Sequence, residues 1–252
     1  MVIFKKYFFL FLSLFALACT QKEGVRIMPI DDFFKSQNRI RYRVSPDARN
    51  LSYLKLEGKN QNLYVEDIET GKGKKITQLK EKSIIFYFWV SKDELIYYKE
   101  TDPALRLSDI FIINKDGKNE RQLTNNEKSR IKVLDDQLMD DKYLLVSSNK
   151  RDSTVFDVYR LNVRNGEMQM AAKNPGNITD WTTDSEGKLR LATSSDGVNE
   201  TLLYRESEND VFKPIVTNNF KNTLRPIAFA KNKLNIIYAI STENRDKGAS
   251  VV

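Results

Sequence analysis

Apolar residues recur along this chain in short runs of Ile, Val, Leu, Tyr and Phe, cut by Asp, Asn and Gly. That punctuation belongs to strands and tight turns, not to helices. The runs are in register with one another. Asn62-Leu63-Tyr64-Val65-Glu66-Asp67 is echoed by Ser108-Asp109-Ile110-Phe111-Ile112-Ile113 and by Phe156-Asp157-Val158-Tyr159-Arg160-Leu161, then more faintly by Thr201-Leu202-Leu203-Tyr204. Tyr64, Phe111, Tyr159 and Tyr204 are thereby spaced 47, 48 and 45 residues apart. Turns follow at matching places, at Thr70-Gly71, Asp116-Gly117 and Asn165-Gly166. The strands after them end in Ile76-Thr77 and Leu123-Thr124. A period of about 40–50 residues with four strands per unit is the pattern of propeller blades.

One unit can be drawn in full. Residues 84–90 form a first strand that is apolar nearly throughout, as a strand covered on both faces should be. Residues 95–99 and 110–114 form the second and third, and 121–124 a polar outer fourth that suits an exposed edge. Later units begin near Lys132, Ile178 and Leu224. Helical repeats of similar length are excluded by the dominance of β-branched and aromatic residues and by the Asp-Gly and Asn-Gly turns inside the unit. The expected fold is all-β: an incomplete β-propeller over 33–252, with about four antiparallel four-stranded blades and part of a fifth. The second strand of that fifth blade falls at 234–240, and residues 39–44 are a further strand available to complete a blade.

The N-terminus follows a different pattern. Lys5 and Lys6 precede an apolar run over 7–18, and Ala16 and Ala18 lead into Cys19. A basic start, a short apolar stretch and a small-residue exit predict a secretory signal over 1–18. The run is too short for a bilayer span, which needs roughly 20 residues. Cys19 is the only cysteine. It stands where a lipoprotein would be cleaved and acylated, and Leu14-Phe15-Ala16-Leu17-Ala18-Cys19 resembles a lipobox with its Leu one place late. Residues 19–32 read as a spacer, with one helical turn expected around Pro29-Ile30-Asp31-Asp32-Phe33-Phe34. The expected location is the cell envelope, with a lipid anchor to the membrane.

Charge adds little to this picture. The net charge is +7, two of those positives lie in the signal, and the remaining Lys and Arg are scattered among Asp and Glu. A nucleic-acid footprint would need a basic patch or stripe, so no nucleic-acid partner is expected.

Candidate chemistry is sparse. The sequence has no histidine and no Gly-x-Ser-x-Gly among its ten glycines, so a Ser-His-Asp triad cannot be assembled from it. Ser-x-x-Lys occurs at Ser52/Lys55, Ser129/Lys132, Ser147/Lys150 and Ser185/Lys188, the scatter expected of chance. Asp135-Asp136 and Asp140-Asp141 read as turn acids, and the usual zinc and copper ligand sets are missing. No metal or cofactor is expected. Trp89 and Trp181 are expected to pack between blades. Arg151-Asp152 and Arg245-Asp246 occupy similar places in the repeat. Arg151 and Arg245 could hold a peptide carboxylate by a bidentate contact, or tie neighbouring blades together.

Several details go beyond a generic propeller. These are Ser45-Pro46-Asp47 before a strand, Asn62-Leu63-Tyr64-Val65, Leu123-Thr124, and Asn149-Lys150-Arg151-Asp152 followed by Phe156-Asp157-Val158-Tyr159. Trp181 with Asp184-x-x-Gly187, and Asn244-Arg245-Asp246-Lys247, continue the series. In this order they resemble the N-terminal propeller of the prolyl oligopeptidase family, most of all its bacterial dipeptidyl- and acylaminoacyl-peptidase-like branch. The resemblance runs from about Phe33 to the end of the sequence. It implies a propeller that filters peptide substrates for a serine nucleophile in a following α/β-hydrolase domain, to which nothing in this sequence corresponds. The chain alone is therefore expected to lack peptidase activity and to contribute access and binding. The alternative expectation is a stand-alone TolB-like lipoprotein propeller that binds an envelope protein as a scaffold.

Overall fold

The computed structural model describes residues 38–252 apart from 126, 127, 137 and 139–141. The signal segment, Cys19, the spacer with its helical turn, and Asp140-Asp141 lie outside the described residues. The described chain is built from antiparallel β-sheets in sequence order, as the repeat predicts.

The first blade comprises β1 (Arg39–Val44), β2 (Asn50–Glu57), β3 (Asn60–Asp67) and β4 (Gly73–Lys75). The second comprises β5 (Ile84–Trp89), β6 (Glu94–Asp102), β7 (Leu107–Asn114) and β8 (Arg121–Gln122). The third holds β9 (Ile131–Val133), β10 (Tyr143–Ser148), β11 (Asp157–Asn162) and β12 (Met168–Ala172). The fourth holds β13 (Ile178–Thr183), β14 (Leu189–Ser195), β15 (Glu200–Tyr204) and β16 (Lys213–Asn218). The fifth has three strands, β17 (Leu224–Ala230), β18 (Lys233–Ser241) and β19 (Ala249–Val251). Residues 39–44 therefore serve as the innermost strand of the first blade and are paired with β2.

The core sits between blades. Side chains alternate across a strand, so β6 sends Leu95 and Tyr97 toward the first blade and Ile96 and Tyr98 toward the third. Leu54, Leu63 and Val65 meet the former set, while Leu144, Val146 and Tyr159 meet the latter. Two-sided burial falls on the middle strands of the blades, such as β7 and β10, which are buried nearly throughout, whereas the innermost strands keep one face toward the centre and are partly exposed. Trp89 and Trp181 both lie at such seams. The Trp89 indole donates to Ser52 Oγ at 2.8 Å, and that of Trp181 donates to the Phe156 carbonyl at 2.9 Å.

A polar clasp recurs near the start of the third strand in the first and second blades. Thr77 Oγ1 donates to Asn62 Oδ1 and accepts from the Leu63 amide, each at 2.9 Å. Thr124 Oγ1 likewise donates to Asp109 and accepts from the Ile110 amide at 2.9 Å. The threonine hydroxyl thus stands in for a backbone carbonyl where the outer strand peels away. This is the physical content of the Ile-Thr and Leu-Thr echo in the sequence.

Candidate functional site: the central channel

The innermost strands β5, β9, β13 and β17 face a central cavity of about 850 Å³. Its wall mixes apolar and charged groups. Ile85, Phe86 and Ile227 contribute the apolar part, and Arg106, Lys132, Asp136 and Asp180 the charged part. Ile85 and Ile227 stay 40% and 53% exposed. Exposed aliphatic groups beside convergent polar ones are the usual lining of a ligand site.

One edge of this channel is bridged. Arg43, in β1, places NH1 3.5 Å from Asp136 Oδ2, joining the first blade to the third past the inner strand of the second. Further round, Thr183 Oγ1 donates to Asp135 Oδ2 at 2.9 Å and links the fourth blade to the third. Asp135 and Asp136, expected as turn acids, thus reach two different blades.

The geometry of β1 is irregular where it carries arginine. Its register with β2 shifts between Ile40 and Arg43, and Arg41 adopts φ 57°, in the left-handed region that side chains disfavour. The buried Tyr87 hydroxyl donates to the Arg41 carbonyl at 2.5 Å and holds this turn of the chain. Burial pushes the Tyr87 phenol up to about 12, so it remains a donor at neutral pH. The bulge directs Arg41 and Arg43 to the same aromatic ring: their guanidinium carbons lie 6.0 and 5.2 Å from the centroid of Phe86.

The residues singled out in the sequence fall elsewhere. Arg151, between β10 and β11, donates through Nε and NH2 to Asp157 at 2.6 and 2.9 Å, and through NH2 to the Asn174 carbonyl at 3.3 Å. The bidentate contact is therefore spent on a buried carboxylate of its own blade. Burial pushes the Asp157 carboxyl up, but Arg151 and the Asn174 amide outweigh it and hold it below its ordinary value. Arg245, at the matching place in the fifth blade, is exposed, donates through Nε to the Glu243 carbonyl at 3.1 Å, and makes no ion pair among the described residues. The structure does not bring Arg151 and Arg245 together, and neither lines the central cavity. Ser52 of the first Ser-x-x-Lys match is committed to the Trp89 indole and the Arg43 carbonyl. Among the described residues no group of three or more acidic or cysteine side chains is placed to hold a metal.

Sequence reasoning passed over Arg41, Arg43 and Phe86. The available signal was the alternation Arg39-Ile40-Arg41-Tyr42-Arg43 in a strand now seen to be innermost.

The described residues thus define a β-propeller assembly with a mixed apolar and charged central channel. No family model matches the chain. It is 21% identical over 173 residues to dipeptidyl aminopeptidase BIII of Pseudoxanthomonas mexicana, a match covering 68% of this chain and 25% of that relative. The chain thus spans about a quarter of the curated relative it matches. Among solved structures it resembles an oligogalacturonate lyase in complex with manganese, at TM-score 0.60 and 15% identity, over 85% of this chain and 65% of that one. It also resembles a prolyl endopeptidase, at TM-score 0.54 and 16% identity, over 84% and 32% of the respective chains. Likeness at these identities establishes the shared propeller fold. The chain is similar to the propellers of prolyl oligopeptidase-family peptidases.

Proposed function

We propose that this chain is the substrate-admitting propeller of an exported, lipid-anchored serine peptidase. It binds short peptides in its central channel, while the catalytic serine, aspartate and histidine come from outside the sequence given. The observation that carries this reading is the match to a dipeptidyl aminopeptidase over two-thirds of the chain. The channel supports it, with a cavity of about 850 Å³ lined by both apolar and charged groups. The absence of histidine from the sequence assigns the base of any triad to another segment or chain. Lys5, Lys6, the apolar run after them and Cys19 support export and acylation.

The test is made on the native protein extracted from its own cell envelope. A fluorophosphonate probe that labels a polypeptide containing this chain, at a mass well above that of the chain alone, supports the reading. An unlabelled protein at the mass of this chain plus acyl groups, co-purifying with an envelope protein, overturns it in favour of a scaffold. Cys19→Ser should move the protein from the membrane fraction to the soluble one.

A further inference from the structure

We propose that Arg41 and Arg43 form a carboxylate-recognition site at the edge of the channel, against its lining residues Phe86 and Asp136, which takes a peptide carboxylate in exchange for Asp136. The inference rests on the peptide-admitting reading above and names the group of the peptide that the channel recognises.

Four observations converge. Arg41 is held in a left-handed conformation at a bulge, and the hydroxyl that holds it comes from the neighbouring blade, through Tyr87. Such a conformation persists only where its surroundings enforce it, and bulges of this kind re-aim side chains. The two guanidiniums are directed to one ring, that of Phe86, within 6.0 Å of its centroid. The face of an aromatic ring attracts each cation, but the two repel one another. An anion placed between them removes that repulsion.

The anion now in reach is a poor match. Asp136 offers Arg43 a single contact at 3.5 Å, with both side chains substantially exposed, 35% and 50%. The same molecule shows what a committed pair looks like, in the Arg151–Asp157 fork at 2.6 and 2.9 Å around a fully buried carboxylate. Arg41 has no carboxylate partner at all among the described residues. Two other charged groups of the cavity are otherwise engaged: Asp135 holds Thr183, and Lys132 lies over Phe156 at 5.7 Å. A carboxylate bound between Arg41 and Arg43 can take the planar, bidentate contact that Asp136 does not make. Asp136 acts as a stand-in that the ligand displaces.

The experiment is calorimetric titration of the chain with three peptides: N-acetyl-Ala-Ala-Phe, its C-terminal amide, and N-acetyl-Ala-Glu-Phe amide. One carboxylate-bearing peptide should bind at least tenfold more tightly than the uncharged amide. The acid identifies recognition of a C-terminus, and the glutamyl amide recognition of a side chain. Arg41→Gln and Arg43→Gln should each shrink that preference several-fold. Asp136→Asn should strengthen carboxylate binding several-fold, a gain that loss of a merely structural bridge would not produce. Circular dichroism and thermal melting of each variant verify the fold, and Asp136→Asn alone decides the matter if an arginine variant fails to fold. Equal binding of all three peptides overturns the carboxylate site while leaving a peptide channel in place. Weakened carboxylate binding in Asp136→Asn also overturns the site. No binding of any peptide overturns both.

Discussion

Trp89 and Ser52 are joined across the first seam of the propeller, the indole nitrogen donating to the serine hydroxyl at 2.8 Å. Ser52 passes the connection on by donating to the Arg43 carbonyl at 3.0 Å. A buried residue of the second blade is thereby tied to the backbone of the innermost strand of the first, beside the arginines of the channel. Ser52→Ala leaves the indole N–H buried without an acceptor and should cost about 1–3 kcal/mol. Urea unfolding checks this. Through Arg43, the same variant should also loosen the bridge to Asp136.

The clasp threonines offer a cleaner test of the repeat. Thr124→Val keeps shape and removes the hydroxyl that accepts the Ile110 amide at 2.9 Å. A buried amide without a partner should lower stability by about 1–2 kcal/mol. Thr77→Val should do the same in the first blade, where Leu63 loses its acceptor. Because the two sites share no partner, the double variant should show nearly additive losses in a denaturant titration.

Glycines at equivalent turns should respond very differently to alanine. At Gly166, φ 77°, a β-carbon would stand 2.7 Å from the Leu123 carbonyl oxygen of the preceding blade. At Gly71, φ 65°, nothing lies within 4 Å. Gly71→Ala should therefore cost only the left-handed conformation, about 1 kcal/mol. Gly166→Ala adds an overpacking term and should cost roughly 3 kcal/mol. Thermal melts of the two variants side by side will show whether the seam tolerates no side chain there.

Acid should attack the third blade through Asp157. Its carboxyl is held below the ordinary value because the attraction of Arg151 and the Asn174 amide outweighs the effect of burial. A carboxyl depressed in the folded state stabilises fully above its unfolded value, near pH 4, and that stability is lost as pH falls through the lower folded value. Unfolding midpoints should thus decline below about pH 4. Asp157→Asn should lower stability at neutral pH by about 2 kcal/mol, since Arg151 loses a bidentate partner but keeps access to water. It should also flatten the decline in acid, which urea midpoints between pH 3 and 7 would record.

The blade rhythm was legible in the sequence because each blade is local. Its strands pair with their immediate successors, so strand order, turn positions and the apolar middle strands all leave short-range patterns. Fold class, the starts of the later blades near residues 132, 178 and 224, and the places of Thr77, Thr124, Gly117 and Gly166 can all be read from the order of residues alone. What those residues touch depends on contacts made across the blades after folding. Equivalent strands of neighbouring blades begin about 46 residues apart, and no short-range pattern records which atoms face each other across a seam. Arg151 stood out in the sequence, but its fork closes on Asp157 in the same blade. Arg41 and Arg43 looked like ordinary alternation in a strand. Their aim toward Phe86 depends on a bulge held by a tyrosine 46 residues further on, and the bridge to Asp136 spans 93 residues. Local hydrogen bonding specifies the blades; packing and charge between distant segments specify the channel.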